Sequence, residues 1–260
     1  MARIVHIALK VDNLENATKF YEEVFGFRQT GTGYARGHVS RHMTDGALDV
    51  ALMVYDSEEV HEARLSGVGP CIHHWGIEVE DRDATVKLIE SNGGTILSEP
   101  GEGALKFRAP DGTVAEIVGP GRYEKGGKAN GSRIVHLAIK VEDLESATRF
   151  YENVFGFKQV TTGRNRQHIS RHLTDGAFDL ALMVYDSEEA EEAQLAGPGP
   201  RIHHWGIEVD DREGFAEKIA SHGGSILSKP EGMTIKFRAP DYTLAEIVRT
   251  GRYEKLKQHA

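Results

Sequence analysis

With 260 residues, 39% of them hydrophobic and 27% charged, the chain has the composition of one large globular domain or two ordinary ones. A formal net charge of −9 argues against a nucleic-acid-binding role, which needs a basic face to neutralise phosphates, and no apolar run approaches the ~20 residues of a membrane span. The opening MARIVHIALKV lacks the apolar core and cleavage site of a signal peptide, and the only cysteine, Cys71, can form no internal disulfide; both features predict a cytoplasmic protein in a reducing compartment.

In chain order, HIALKVDNLENATKFYEEVFGF opens with alternating strand-like residues, passes an Asp-Asn turn and becomes helical. Leu14, Ala17, Phe20, Tyr21, Val24 and Phe25 fall on one helical face, and Gly26 stops the helix. Strands are predicted at 29–34, 37–43 and 48–55, and a short helix at 57–65. HWGIEVEDRDATVKLIESNGG repeats the plan from His74: strand, acidic turn, helix, and a glycine stop at Gly93 and Gly94. Strands at 95–98, 105–109 and 113–118 complete the first half, which is thus two strand–helix–three-strand units.

The whole pattern then returns. RIVHIALKV from Arg3 recurs as RIVHLAIKV from Arg133, ALMVYDSEE from Ala51 recurs from Ala181, KFRAPD from Lys106 recurs from Lys236, and GRYEK from Gly121 recurs from Gly251, always at an offset of 130. Roughly two-thirds of paired positions are identical, the mark of a tandem duplication whose period is far too long for a solenoid. The segment GPGRYEKGGKANGS, from Gly119 to Ser132, reads as a linker. The expected organisation is a domain at 1–120, a linker at 121–132 and a second domain at 133–260, each domain holding two modules. Cys71 has Arg201 as its counterpart, so it is no nucleophile shared by both halves.

The strings CIHHWGIEVED and RIHHWGIEVDD each put two histidines at the mouth of an apolar strand. Neighbouring strand residues point to opposite faces. Laying HWGIEVED over HIALKVDN superposes His74 on His6, so these two share a face, whereas His73 points away or sits at the strand entrance. His136, His204 and His203 repeat the arrangement. The last strands, TVAEIVG and TLAEIVR, carry Glu116 and Glu246 among apolar neighbours, where a carboxylate is costly to bury unless paired or bound to a cation. A lone strand histidine or glutamate is commonly structural. Two histidines and a glutamate at equivalent positions, reproduced in both halves, predict one divalent-metal site per half.

HIALKVDNLENATKFYEEVFGF followed by HHWGIEVED, a Gly-Gly pair, KFRAPDG and AEIV resembles the vicinal oxygen chelate superfamily, the glyoxalase, bleomycin-resistance and extradiol dioxygenase group. The resemblance covers nearly the whole chain. It implies an α+β fold of four βαβββ modules forming two cup-shaped eight-stranded mixed sheets with helices packed outside. It also implies one metal per cup, held by His6, His74 and Glu116 and by His136, His204 and Glu246, with Fe(II) favoured and Zn, Ni, Co or Mn as alternatives. Glyoxalase-like members resemble a four-ligand site with a second acid on the last strand of the first module; dioxygenase-like members keep two histidines and one glutamate, leaving open positions for a bidentate diol and dioxygen.

Strict register from the His74–Glu116 spacing lands on Leu48 and Phe178, with no fourth ligand, while Asp49 and Asp179 stand one residue further on and are either outward solvated acids, the preferred reading, or, after a one-residue slip, fourth ligands. HVSRHMTDG and HISRHLTDG place His38 and His42, and His168 and His172, on one strand face as candidate acid–base groups or as a polar rim. Tyr123 and Tyr253 are candidate donors to a substrate oxygen or packing for a tail. Trp75 and Trp205 are expected in the core, Asp111 in a turn, and His61, His222 and His259 at the surface. The expected function is a metal-dependent oxidoreductase, an Fe(II) ring-cleaving or related dioxygenase acting on a small bidentate oxygen substrate. A glyoxalase- or epimerase-like lyase or isomerase is the alternative, and an antibiotic-binding protein a third reading. No nucleic acid or membrane partner is expected, and the chain is read as a monomer with pseudo-two-fold halves or a homodimer. Because two-domain extradiol enzymes resemble a pair in which one half has lost its site, two intact triads look more like a single-domain dimer fused in tandem.

Overall fold

The computed structural model describes residues 2–99, 102–123, 131–165, 167–228 and 232–254. Linker residues 124–130 and His259 lie outside the described residues. The first half runs β1 (Arg3–Lys10), α1 (Leu14–Phe25), β2 (Arg28–Ala35), β3 (His38–Thr44), β4 (Asp49–Tyr55), β5 (Cys71–Glu78), α2 (Arg82–Ser91), β6 (Thr95–Ile96), β7 (Leu105–Arg108) and β8 (Val114–Val118). The second runs β9 (Ser132–Lys140), α3 (Leu144–Phe155), β10 (Lys158–Asn165), β11 (His168–Thr174), β12 (Asp179–Tyr185), α4 (Glu191–Gln194), β13 (Arg201–Val209), α5 (Arg212–Ser221), β14 (Ser225–Ile226), β15 (Ile235–Arg238) and β16 (Leu244–Arg249). The helix predicted over 57–65 shrinks to a single 3-10 turn at Glu62–Arg64.

Local chemistry sets the helix ends. The Asn13 side chain accepts from the Asn16 amide at the start of α1, and Gly26 closes it at φ 69°. Asp143 and Gly156 do the same for α3.

Each half forms its own eight-stranded mixed sheet, in the order β2-β3-β4-β1-β5-β8-β7-β6 and its exact repeat in the second half. The two modules of a half meet where β1 and β5 pair antiparallel, while β1–β4 and β5–β8 are parallel. The cup is therefore built within a half and not by exchange between halves. One face of each sheet carries the polar cluster described below. The other carries Ile7, Leu9, Leu52, Trp75, Ile77, Phe107 and Ile117, and this face packs on helices.

Those helices come from both halves. Tyr21 of α1 packs against Trp205 at 5.6 Å between ring centroids, and Tyr151 of α3 packs against Trp75 at the same distance. The two sheets thus lie back to back with helices between them, and one continuous apolar core contains residues of both halves. The turn aspartates stitch the seam. Asp45 accepts from the Ile134 amide at 2.6 Å and Asp175 from the Ile4 amide at 2.7 Å. Asp111, expected only as a turn residue, also accepts from the Tyr151 hydroxyl at 2.7 Å, and Asp241 accepts from Tyr21 at 2.9 Å. Trp75 and Trp205 are fully buried, His61 is exposed, and His222 is half-buried beside Glu23 of the other half.

Candidate metal centre

Strand pairing lays one row of residues straight across the polar face of the first sheet. Lys106 on β7 is opposite Glu116 on β8, Glu116 is beside Gly76 on β5, Gly76 is opposite His6 on β1, and His6 is beside Asp49 on β4. The second sheet repeats it as Lys236, Glu246, Gly206, His136 and Asp179. Strand neighbours lie ~4.8 Å apart, and the glycine in the middle of the row leaves a gap into which the flanking side chains lean. A Cβ built on Gly76 would stand 2.8 Å from His6 Cβ and 3.4 Å from Glu116 Cγ. His74, beside Ala8 on the same face, closes the triangle. One ligand atom from each of His6, His74 and Glu116 lies within 4.8 Å of the others, and so do those of His136, His204 and Glu246.

Asp49 and Asp179 are not outward. Asp49 is buried in the cup, where His6 Nδ1 donates to its carboxylate at 2.7 Å and His42 Nδ1 at 2.8 Å. In the second half, His136 and His172 bond Asp179 at 2.5 and 3.0 Å. The expectation failed on strand register. Gly76 pairs with Glu116, and its counterpart Ala8 pairs with Ala51, so the true equivalent of Glu116 is Ala51 and not Leu48. That odd displacement exchanges the faces of β4 and turns Asp49 inward. His6 gives its Nδ1–H to Asp49 and keeps Nε2 as its bare nitrogen, an arrangement common behind metal-bound imidazoles.

His73 is also not where alternation puts it. Ala8 pairs with His74 and Leu9 with Ile72, so His73 is the extra residue of a β-bulge, and so is His203. Its ring turns in beside its neighbour, with His73 Nδ1 2.8 Å from His74 Nδ1 and His73 Nε2 2.7 Å from the Glu62 carbonyl; the second half gives 2.7 and 2.9 Å. The hydrogens follow from this geometry. A carbonyl only accepts, so His73 carries its proton on Nε2. Burial pulls the His73 pKa down to about 4 and that of His74 well below its usual value, so both rings are neutral. His73 Nδ1 must then accept from His74 Nδ1–H, which leaves His74 Nε2 bare, 3.4 Å from Glu116.

The donor set suits a divalent cation: two neutral imidazoles with a bare nitrogen each, and one carboxylate. Against the cost of burial, nearby positive charge, that of Lys106 included, holds the Glu116 carboxyl well below its ordinary range. Tyr123 donates to the other Glu116 oxygen at 2.7 Å and stacks on His6 at 4.5 Å. Burial and the Glu116 charge push its phenol pKa up, so it remains a donor. Tyr253 serves Glu246 in the same way at 3.1 Å. His42 and His172 join the cluster through Asp49 and Asp179 with side chains 27% and 21% exposed, nearest the mouth. Burial works against the charged form of His172, but Asp179 raises its proton affinity. His38 and His168 stand apart from the triad atoms, their rings against Tyr55 and Tyr185.

One lysine per cup was legible but unread. Lys106 Nζ lies 3.1 Å from Glu62 and 3.5 Å from Glu116, and Lys236 Nζ lies 3.1 Å from Glu192 and 3.0 Å from Glu246. Counting back from the APDG turn in KFRAPDGTVAE pairs Lys106 with Glu116, which would have exposed the lysine. Cys71 is half-buried, and burial pushes its thiol pKa up to about 11, in keeping with an inert side chain.

Residues 3–117 and 133–241 match the family described as the Glyoxalase/Bleomycin resistance protein/Dioxygenase superfamily. The chain is 25% identical over 252 residues to a probable chloroplastic lactoylglutathione lyase of Arabidopsis thaliana, covering 88% of this chain and 65% of that one. It is 22% identical over 163 residues to a second lactoylglutathione lyase of that plant, covering 60% of this chain and 55% of the other, so it spans less than two-thirds of either relative. Among solved structures, a variant 4-hydroxymandelate synthase from Streptomyces coelicolor matches with a TM-score of 0.74 at 16% identity, over 94% of this chain and 91% of that one. The 2,3-dioxygenase LapB from Pseudomonas sp. KL28 matches with 0.63 at 18%, over the same shares. At such identities the likeness is one of fold.

Proposed function

The chain belongs to the Glyoxalase/Bleomycin resistance protein/Dioxygenase superfamily, and from that premise we propose that it is an enzyme with one divalent-metal centre in each half, of the three-ligand kind that serves non-haem Fe(II) oxygenases. The ligands are His6, His74 and Glu116 in one cup and His136, His204 and Glu246 in the other. The observation that carries this reading is on β4 and β12. The position equivalent to Glu116 is Ala51, and Asp49 is already engaged by His6 Nδ1 and His42. Three protein ligands leave room for both oxygens of a bidentate substrate and for dioxygen. Bound there, such an ion supplies Lewis acidity and, as iron(II), an electron source for oxygen.

The remaining roles belong to the chain. Asp49 and His73 fix the two imidazoles, and Tyr123 orients the carboxylate. His42, on Asp49 and nearest solvent, holds and moves the substrate's proton. His38 packs its ring against Tyr55 in the wall of the cup. A lyase or isomerase reading is supported by the names of the curated relatives; it needs the same metal but no oxygen.

Anaerobic purification with elemental analysis, followed by oxygen uptake on a panel of catechols, separates the two. Iron with uptake is expected; turnover of a hemithioacetal without oxygen would favour the lyase. Glu116→Gln and Glu246→Gln are each expected to remove about one equivalent of metal, and undiminished metal in both variants would refute the ligand assignment.

A further inference from the structure

A cavity of about 190 Å³ opens on the seam between the two halves. Equivalent residues line it from both sides, Leu65 with Leu195, Pro70 with Pro200 and Arg108 with Arg238, so it lies on the pseudo-two-fold axis. His73 and His203 reach its wall, but no residue of either triad does. It is thus a space apart from the two cups.

Its charge is one-sided. Arg108, Arg201 and Arg238 line it, and among the described residues no aspartate or glutamate does. Arg108 donates to the Gly112 and Leu65 carbonyls at 2.8 and 3.0 Å, and Arg238 to the Tyr242 and Leu195 carbonyls at 2.9 and 2.8 Å. Arg201 donates to the carbonyls of Ala196, at 2.9 Å, and of Pro198, while its Nε is buried without an acceptor. Carbonyls satisfy N–H groups without cancelling charge, and a guanidinium cannot shed its proton. Glu188, whose charge acts on Arg201, is 57% exposed and already paired with Lys140 at 2.9 Å.

The repeat also departs from itself here. Arg201 stands where the first half has Cys71, and Tyr242 where it has Gly112. Gly112 turns at φ 86°; Tyr242 keeps the same left-handed turn at φ 67°, which a bulky side chain rarely adopts, and is 61% exposed. A ring so exposed adds little to the core, yet it lines the cavity and sets an aromatic face at its mouth.

We propose that this axial cavity is an anion site, separate from the metal centres, for the phosphoryl group of a small phosphate monoester whose planar organic end lies against Tyr242. The volume, below the 300–1,000 Å³ of ordinary ligand pockets, limits the ligand to a small molecule. Several guanidiniums suit the dianionic, many-acceptor phosphoryl group better than a singly charged carboxylate.

Titration calorimetry of the full chain with phenyl phosphate tests this. A single equivalent per chain is expected, since the axis is one and the cups are two, and it is expected to persist after metal is stripped by chelator. Arg201→Gln is expected to weaken binding about tenfold by removing a charge-assisted donor. Cys71 at the equivalent place shows that the strand accepts an uncharged residue there. Tyr242→Gly, which installs the residue of the first half, is expected to weaken phenyl phosphate about threefold and to leave inorganic phosphate within about twofold. No binding to wild type at millimolar ligand, two equivalents per chain, binding lost with the metal, or unchanged affinity in Arg201→Gln would each overturn the site. Equal effects on both probes in Tyr242→Gly would overturn the role given to the ring.

Discussion

A residue outside the proposed ligand set can still decide how tightly a metal would be held. His73 is placed to do so by fixing a proton: the Glu62 carbonyl sets its tautomer, and that tautomer sets the tautomer of His74. Replacing it with Phe keeps a ring in the bulge but removes the acceptor for His74 Nδ1–H, so His74 is free to place its proton on Nε2, where a metal cannot bind. His73→Phe is expected to weaken metal binding in the first cup by about 10- to 100-fold, the usual cost of losing such a partner. His73→Asn offers a carbonyl oxygen to the same hydrogen and is expected to recover most of the loss. Chelator-competition titration of both variants reads the difference. Equal losses in the two would mean that His73 matters only for packing. His203 predicts the same series for the second cup.

At the scale of elements, the glycine of the repeated His-His-Trp-Gly string does as much as the histidines. Gly76 and Gly206 sit between the acid and the first histidine of each row, and a Cβ there would come within 2.8 Å of His6 or His136 Cβ. Gly76→Ala is expected to cost ~1–3 kcal/mol through overpacking on the sheet and to lower metal occupancy of the first cup; thermal denaturation and elemental analysis check both. Full occupancy with an unchanged melting temperature would show that His6 can step aside. The elements themselves were largely readable, because apolar periodicity, the Asp and Asn caps and the glycine stops are local signals. The triad was readable because His6, His74 and Glu116 keep the same spacing in both repeats. What escaped was non-local or sub-periodic. The bulge at His73 breaks alternation by one residue, and the loops of the first module shift β4 by an odd number, which turned Asp49 inward. Neither is visible to a period-two argument along one strand. Lys106 escaped for another reason: a lysine in a strand ordinarily reads as solvated, and only its partner across the hairpin, Glu116, says otherwise.

At the scale of the whole molecule, a duplicated sequence need not mean two folding units. Each half supplies helices to the apolar back of the other's sheet, through Tyr21 on Trp205 and Tyr151 on Trp75. The buried hydrogen bonds from Tyr21 to Asp241 and from Tyr151 to Asp111 cross the same seam. A half without its partner would expose Trp75, Phe107 and their neighbours, an apolar surface no isolated cup could cover with its own helices. The chain is therefore expected to unfold in one transition, with a ratio of calorimetric to van't Hoff enthalpy of about one. Tyr21→Phe, which leaves Asp241 short of a donor, is expected to lower stability by ~1–3 kcal/mol and to move that single transition as a whole. Two resolved transitions, or a Tyr21→Phe effect confined to one of them, would show instead that the halves are held together only by a linker. The back-to-back arrangement also keeps the two polar faces on opposite sides of the molecule, with one shared core holding both clusters in register.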